Sequence, residues 1–383
     1  MRGRGLYYAR IHRADPVNLG AVKKCRGLLN GFRQSGYEMD IAWYGSEGVV
    51  LNETVICRFP LSSGSGAWHN ILFHHLAFDV VLSRKLDFRR YDFIFIRYPL
   101  AHPGFLLFLK KARAANPSIR IFLEVPTYPY NKEMSGFLRK MQYWLDRQCN
   151  RFLKKYVDWT VHYGLFKELF GIPSIPLRNG VDAEAFPVSK SVNQPGLLRL
   201  IAVGNWSYWH GLDRLIAGLG NYYSQPSHPV RVELTVAGGG REVGKYHRLV
   251  EELRLTSCVR FLPPVEGAAL DALFNEADVA IGSLGLFRIG LETASPLKHR
   301  EYSIRGLPFI LAVKDTSFPD ELPWVCRFTA SEEPLSILEI VAFIKGLQQR
   351  DIHDTIRQYA IRHLSWSEIL KPVLEKLPSA QEG

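Results

Sequence analysis

The chain is predicted to be an α/β protein made of two Rossmann-like, doubly wound halves. Three observations predict this. At 383 residues it is long enough for about two domains, and 47% hydrophobic residues are ample for packed cores. Each half opens on a strand, loop, helix, strand sequence, the beginning of a parallel sheet. The stretch Asp278 to Val313, DVAIGSLGLFRIGLETASPLKHREYSIRGLPFILAV, repeats that order late in the chain.

In the first half, Leu6 to Ile11 is the opening strand. Asp15-Pro16 and the turn Asn18-Leu19-Gly20 lead to a helix over 21–34, with Val22, Leu28, Leu29 and Phe32 as its apolar positions. Gly20 lets the backbone come close to a ligand at the helix start, or serves as a plain turn glycine. Gly36 ends the helix and Met39 to Trp43 is the second strand. A helix lies within Gly64 to Arg90. It carries His74-His75, which as neighbours face different ways and cannot share one metal. YDFIFIRY, Tyr91 to Tyr98, is a strand. Phe105 to Ala114 is a helix and Ile119 to Val125 the next strand. Glu124 closes that strand, and ligands of open α/β sheets bind beyond the carboxyl ends of strands. Flanked by Pro126, Tyr128, Pro129 and Tyr130, Glu124 is a candidate for binding or orienting an acceptor hydroxyl. The alternative is a loop cap, or a partner for an arginine of the same domain.

Phe137 to Tyr156 reads as one basic amphipathic helix mixing Phe137, Met141, Trp144, Phe152 and Tyr156 with Arg139, Lys140, Arg147, Arg151, Lys154 and Lys155. Such a helix lies in an anionic membrane surface or packs with a basic outer face. Charge favours the first reading. Residues 1–190 hold 28 Lys and Arg against 15 Asp and Glu, a net +13. Residues 191–383 hold 20 against 22, a net −2, so the chain's +11 lies wholly in the first half. Asp158 to Val161 is a strand, followed by a short helix, and Asn179-Gly180 is a turn.

The second half starts after a polar stretch with Pro187 and Gly196. Leu198 to Val203 is a strand, leading to Gly204 and a helix. Val232 to Ala237 runs into Gly238-Gly239-Gly240 and a helix over 242–253. Glycines after a strand are weak signs of phosphate binding. A short strand (Cys258 to Leu262) and a helix (Leu270 to Glu276) precede the strand Val279 to Ile281. Ser295 then acts as N-cap, Pro296 as first helical residue, and Gly306 as the stop after Arg305. Lys298 falls in the first turn, where the macrodipole disfavours a cation by about 0.3–1 kcal/mol. An anion sharing the site explains it, because helix N-termini collect phosphates. Glu301 and Tyr302 follow three and four residues on, on adjoining faces. A lysine for phosphate beside a glutamate for sugar hydroxyls describes a nucleotide-sugar site; a charged, solvated helix is the plain alternative.

SPLKHREYSIRGLPFIL resembles the donor-site helix of retaining glycosyltransferases of the GT-B fold, family 4. EVPTYPY from Glu124 resembles a stretch of the polysaccharide-building members, and PLRNGVD the turn closing their first domain. HLSWSEILKPVLEKL resembles the terminal helix that crosses back onto that domain; Ser365 and Glu368 suit a capping box there. The resemblance implies two domains facing a cleft. Their bounds are 1–187 for acceptor, 188–197 as linker, 198–362 for nucleotide sugar, and 363–383 for the returning helix. It implies that Lys298 meets the diphosphate and Glu301 the ribose, with Arg288 adding charge. Gly20, Gly204, Gly238 and the backbone of Gly290, Leu291, Glu292 and Thr293 lie near the donor. VGNWSYWHG departs from the family, since Asn205 and His210 stand where basic residues are usual. The first of its paired glutamates is also displaced, with Thr293 at the position and Glu292 beside it. Trp206, Tyr208 and Trp209 either stack on a sugar or base, or pack at the domain interface.

The implied activity is sugar transfer, with retention, from a nucleotide-diphosphate sugar to a hydroxyl of a lipid-linked saccharide in surface polysaccharide synthesis. Lys298, Glu124 and Arg288 are the catalytic candidates. No cofactor or metal is expected, since the helix N-terminus and Lys298 offset the charge and no Asp-x-Asp occurs. The resemblance to retaining members further implies that the leaving phosphate takes the acceptor proton, so no dedicated base is needed. Epimerases and phosphorylases share the fold. A nucleic-acid-binding protein is a third reading, opposed by the absence of a recognition motif. Five scattered cysteines with no C-x-x-C pair suit a reducing cytosol. No apolar run approaches the ~20 residues of a membrane span, and MRGRGLYYARIH lacks an h-region. The expected location is the cytoplasm, peripheral on the inner membrane face.

Overall fold

Apolar runs that feed helices through short turns build two sheets. The computed structural model describes residues 2–15, 18–58, 67–130, 136–164, 166–189, 194–347 and 352–378, without the side chains at positions 19 and 67–75. Two units result: Met1–Arg178 together with Trp366–Gly383, and Asn179–Ser365.

The first unit runs β1 (Gly3–His12), α1 (Leu19–Gln34), β2 (Tyr37–Gly45), β3 (Gly48–Leu51), β4 (Thr54–Arg58), α2 (Ala67–Lys85), β5 (Phe93–Arg97), α3 (Pro103–Ala115), β6 (Arg120–Val125), α4 (Phe137–Cys149), β7 (Trp159–His162), β8 (Glu168–Leu169) and β9 (Ile172–Pro176). Its sheet order is β4-β3-β2-β1-β5-β6-β7-β9-β8. The six strands from β2 to β9 pair in parallel. Their centres are fully buried, as unbroken runs such as FIFI require. The order reverses between β1 and β5, which makes that pair the switch point of the sheet.

The second unit runs β10 (Leu197–Val203), α5 (Leu212–Tyr223), β11 (Arg231–Ala237), α6 (Val243–Glu252), β12 (Val259–Leu262), α7 (Gly267–Glu276), β13 (Val279–Ile281), α8 (Leu297–Ile304), β14 (Phe309–Leu311), β15 (Val325–Arg327), α9 (Ile337–Leu347) and α10 (Ile352–Leu364). The sheet β12-β11-β10-β13-β14-β15 is wholly parallel and switches between β10 and β13. The closing helices α11 (Trp366–Ile369) and α12 (Lys371–Leu374) return to the first unit. There Trp366 lies against α1, where a Cβ at Gly27 would sit 2.1 Å from the indole nitrogen and one at Gly31 2.6 Å from the tryptophan Cβ.

Several expected elements differ. The basic helix ends at Cys149 and tightens into a 3₁₀ turn over Asn150–Lys155. The short helix expected after β7 is instead the β8–β9 hairpin. The β3–β4 hairpin, turned at Asn52 with φ 57°, had no reading from the sequence. Helix α8 starts at Leu297, and Ser295 is not its cap, because its Oγ accepts from the Asn179 N–H at 2.9 Å. The chain changes units at Asn179 rather than in the polar stretch at 188–197. Asn179 is bound to Ser295 and Arg300, and Ser189 donates to Arg305 and Phe274, all within the second unit. Ser365 likewise bridges to Val181. The side chains of His74 and His75, residues 190–193 and the final SAQEG fall outside what is described.

Candidate functional site

At the switch point of the second sheet, the loops after β10 and β11 are bound edge to edge. The Gly204 N–H donates to Ala237 O at 3.1 Å, and the Trp206 N–H to Gly239 O at 2.6 Å. A Cβ at Gly238 would lie 1.9 Å from Gly204 O, and one at Gly240 2.3 Å from Trp206 O; both residues have positive φ. The glycine run is therefore required by the approach of two backbones. Asn205 is exposed beside Gly240.

Trp206 is buried, with its ring against His210 and Tyr246 and the Lys298 Nζ 5.3 Å from its centroid. It is the floor of this region and packs internally, while Tyr208 is 45% exposed. The His210 Nδ1 accepts from the Ser207 N–H at 2.9 Å. Burial, then the nearby Lys298 charge, lowers His210 to about 4. Near neutral pH it is an uncharged imidazole whose other nitrogen, Nε2, carries the proton and can donate.

Lys298 is the anomaly of the unit. Its stem is partly exposed, yet its Nζ is buried and makes no hydrogen bond among the described residues. Burial alone lowers its pKa to about 8. A buried ammonium with no anion is costly, and folded proteins seldom leave one unpaired. Helix α8 cannot turn it away, because the next two residues anchor the helix. His299 accepts from the Ser283 N–H and contacts Asp315 at 3.0 Å, and Arg300 is fully buried on Asp315, Ser317 and the Asn179 carbonyl. The sequence carries no reading of His299 and Arg300, since Asp315 and Ser317, which hold Arg300, meet it only through folding.

The other candidate residues of this unit are distributed around that point. Glu301 Oε1 accepts from Arg305 at 3.0 Å and the side chain is 21% exposed. Arg288 is held by Asp213 at 2.8 Å, by Glu332 and by the Tyr208 carbonyl. The hydrogen bonds it donates to Asp213 and Glu332 raise its pKa well above the usual value. Its charge is thus already matched, and it ties the 286–290 turn to α5. Gly290 has φ 76° and open space around it; Leu291, Glu292 and Thr293 are exposed. Thr293 bridges to Lys314, whose N–H donates to Glu292 O at 3.1 Å.

In the first unit, Gly20 lies in the first turn of α1 with nothing within 4 Å of where a Cβ would be. Glu124 is fully buried. Lys24 meets it at 2.8 Å and Arg97 at 3.7 Å, and the hydroxyls of Tyr163 and Tyr7 donate to it at 2.7 and 3.2 Å. Burial would raise its pKa, but Lys24 and Arg97 outweigh that and hold it at about 2. The geometry matches the arginine-partner reading, with a lysine added. Lys24 had a legible signal: it sits one helical turn before Leu28 and two before Phe32, on the apolar stripe of α1.

Among the described residues no group of three or more His, Cys, Asp or Glu is placed to hold a metal, and no helix is long and apolar enough to cross a membrane.

The chain matches no protein-family model and no curated protein sequence. Solved structures match it along nearly its whole length. HepE of Anabaena in complex with UDP has a TM-score of 0.61 at 12% identity, over 98% of this chain and 99% of that one. Sucrose-phosphate synthase of Thermosynechococcus elongatus gives 0.59 at 13%, over 98% of each. The lipopolysaccharide outer core galactosyltransferase WaaB gives 0.56 at 13%, over 98% and 100%. Likeness at this identity establishes the fold: two parallel-sheet, Rossmann-like units as in GT-B glycosyltransferase structures.

Proposed function

We propose that the chain is a glycosyltransferase that moves a sugar from a nucleotide-diphosphate donor to a saccharide hydroxyl. The observation that carries this is Lys298, a buried ammonium with no partner at the switch point of a parallel sheet, beside a neutral imidazole able to donate. A diphosphate supplies the missing anion. Lys298 and the Nε2–H of His210 then stand in for the usual pair of basic residues, with the amide groups of 290–294 toward the donor sugar and Glu301 toward the ribose. HepE was crystallised with UDP and with UDP-glucose, which makes uridine donors the first to try.

The chemistry is positioning plus stabilisation of a departing diphosphate. Retention, with the leaving phosphate taking the acceptor proton, is what the resemblance of the α8 stretch to retaining glycosyltransferases supports. Glu124 and Arg288 serve by holding structure: Glu124 by fixing α1 against β6, Arg288 by fixing the 286–290 turn. The acceptor is a saccharide carried at an anionic membrane. In support, α4 presents Phe137 (73% exposed) and Trp144 (62% exposed) to solvent beside exposed Arg139, Lys140 and Arg147.

The test is to incubate the full chain with UDP-, GDP-, ADP- and dTDP-sugars and a panel of saccharides. Acceptor-dependent release of the nucleoside diphosphate, with the anomeric configuration of the product read by NMR, supports transfer. Interconversion of the nucleotide sugar without release identifies an epimerase and overturns it.

A further inference from the structure

The first unit has an arginine-lined cavity at its own switch point. A cavity of about 350 Å³ opens where β1, β5 and β6 end. Among the described residues, the charged groups on its wall are all arginines: Arg10 from β1, Arg97 from β5 and Arg139 from α4. Thr127 and Tyr130 add hydroxyls.

Among the described residues, three buried carboxylates of this unit are spent inward. Glu124 is held by Lys24, by Arg97 at 3.7 Å and by two tyrosines. Asp79 is fully buried on the Tyr8 hydroxyl and His102. Asp146, also buried, takes the hydroxyls of Tyr98 and Tyr130 and the Ala101 N–H.

The arginines retain capacity. Arg10 is pinned by His102 at 2.8 Å and by the Pro99 carbonyl, which aims it without neutralising it. The Arg97 Nη1 has no hydrogen-bond partner among the described residues, only the 3.7 Å approach to Glu124. Arg139 is exposed and makes no ion pair among the described residues. Three guanidinium groups on one small cavity match the oxygens of a phosphate, which takes forked, charge-assisted hydrogen bonds. Ligands of such sheets bind at this point.

We infer that this cavity binds a phosphate group carried by the acceptor, so that the acceptor is a phosphorylated saccharide rather than a neutral one. This rests on the glycosyltransferase reading for the word acceptor, but not for the site itself. The phosphate comes either from a soluble sugar phosphate or from an isoprenyl diphosphate carrier.

Binding of glucose 1-phosphate and of farnesyl diphosphate to the full chain, measured by titration calorimetry at low salt, tests it. Binding of at least one is expected, and the tighter of the two names the source. Arg139→Ala leaves no buried partner behind and is expected to weaken binding about tenfold or more. Arg97→Lys keeps the charge, loses the fork, and is expected to weaken it less. Lys298→Ala is expected to leave it unchanged. No binding by wild type, full binding by both arginine variants, or loss in Lys298→Ala alone would each overturn the inference. If phosphate binds here but no nucleotide sugar is turned over with any acceptor, the proposed function fails and this site stands.

Discussion

Lys24 in the first unit and Lys298 in the second are both buried lysines near the carboxyl ends of a parallel sheet, and burial lowers each to about 8. Their surroundings differ. Lys24 has Glu124 at 2.8 Å and the Tyr163 ring 3.5 Å from its Nζ. Lys298 has the Trp206 ring and no hydrogen bond among the described residues. The first cation is matched within the fold and serves architecture. The second is unmatched among the described residues, and a diphosphate is the partner proposed for it. Burial and a perturbed pKa are common to both, so neither marks a binding residue; the missing partner does.

The largest effect that tests this contrast is on stability. Glu124→Ala strands Lys24 and Arg97 and is expected to cost about 3–5 kcal/mol in chemical denaturation. Lys298→Met, which deletes an unmatched charge, is expected to cost nothing or to stabilise. Equal losses in both would break the comparison.

Next is affinity. Lys298→Ala is expected to weaken UDP binding about 100-fold, since a diphosphate loses a buried, charge-assisted contact. Circular dichroism should show the fold intact.

The pH dependence sharpens it further. Lys298 titrates at about 8 when folded and empty, against 10.5 ordinarily. Between those values the unfolded chain binds more protons, so the penalty of the buried cation fades and stability rises with pH there. A bound diphosphate favours the charged lysine. UDP binding should therefore take up a proton above about pH 8 and weaken about tenfold per unit, as calorimetry in two buffers would show. A flat profile would remove Lys298 from the site.

The smallest expected effect concerns the outer face of α4. Trp144→Ala is expected to reduce partition onto anionic vesicles a few-fold, with salt reducing it further. Unchanged partition would end the membrane reading.

Much of the fold was legible. Continuous apolar runs such as FIFIR and RIFLE marked the parallel strands, and Gly36 and Gly306 ended helices as read. The short β3–β4 and β8–β9 hairpins were not, because their strands are two to five residues long and carry no sustained alternation. At the site, Lys298 was legible from its wrong-sign place in a first helical turn. The satisfaction of Arg288 was not, since Asp213 and Glu332 lie far from it in sequence and meet it only through folding. Glu124 stood at the right strand end. That its partner would be Lys24 was written in the apolar stripe of α1, but only the packed structure joins the two.

The seat of Trp366 on Gly27 and Gly31 has a consequence for synthesis on the ribosome. Residues 179–365 are contiguous, whereas the unit begun first also needs residues from 366 onward, and domains generally fold as units during synthesis. Its α1 groove therefore stays uncovered until Trp366 has been made. A nascent or prematurely terminated chain would carry that bare glycine-lined face as its signal of incompleteness.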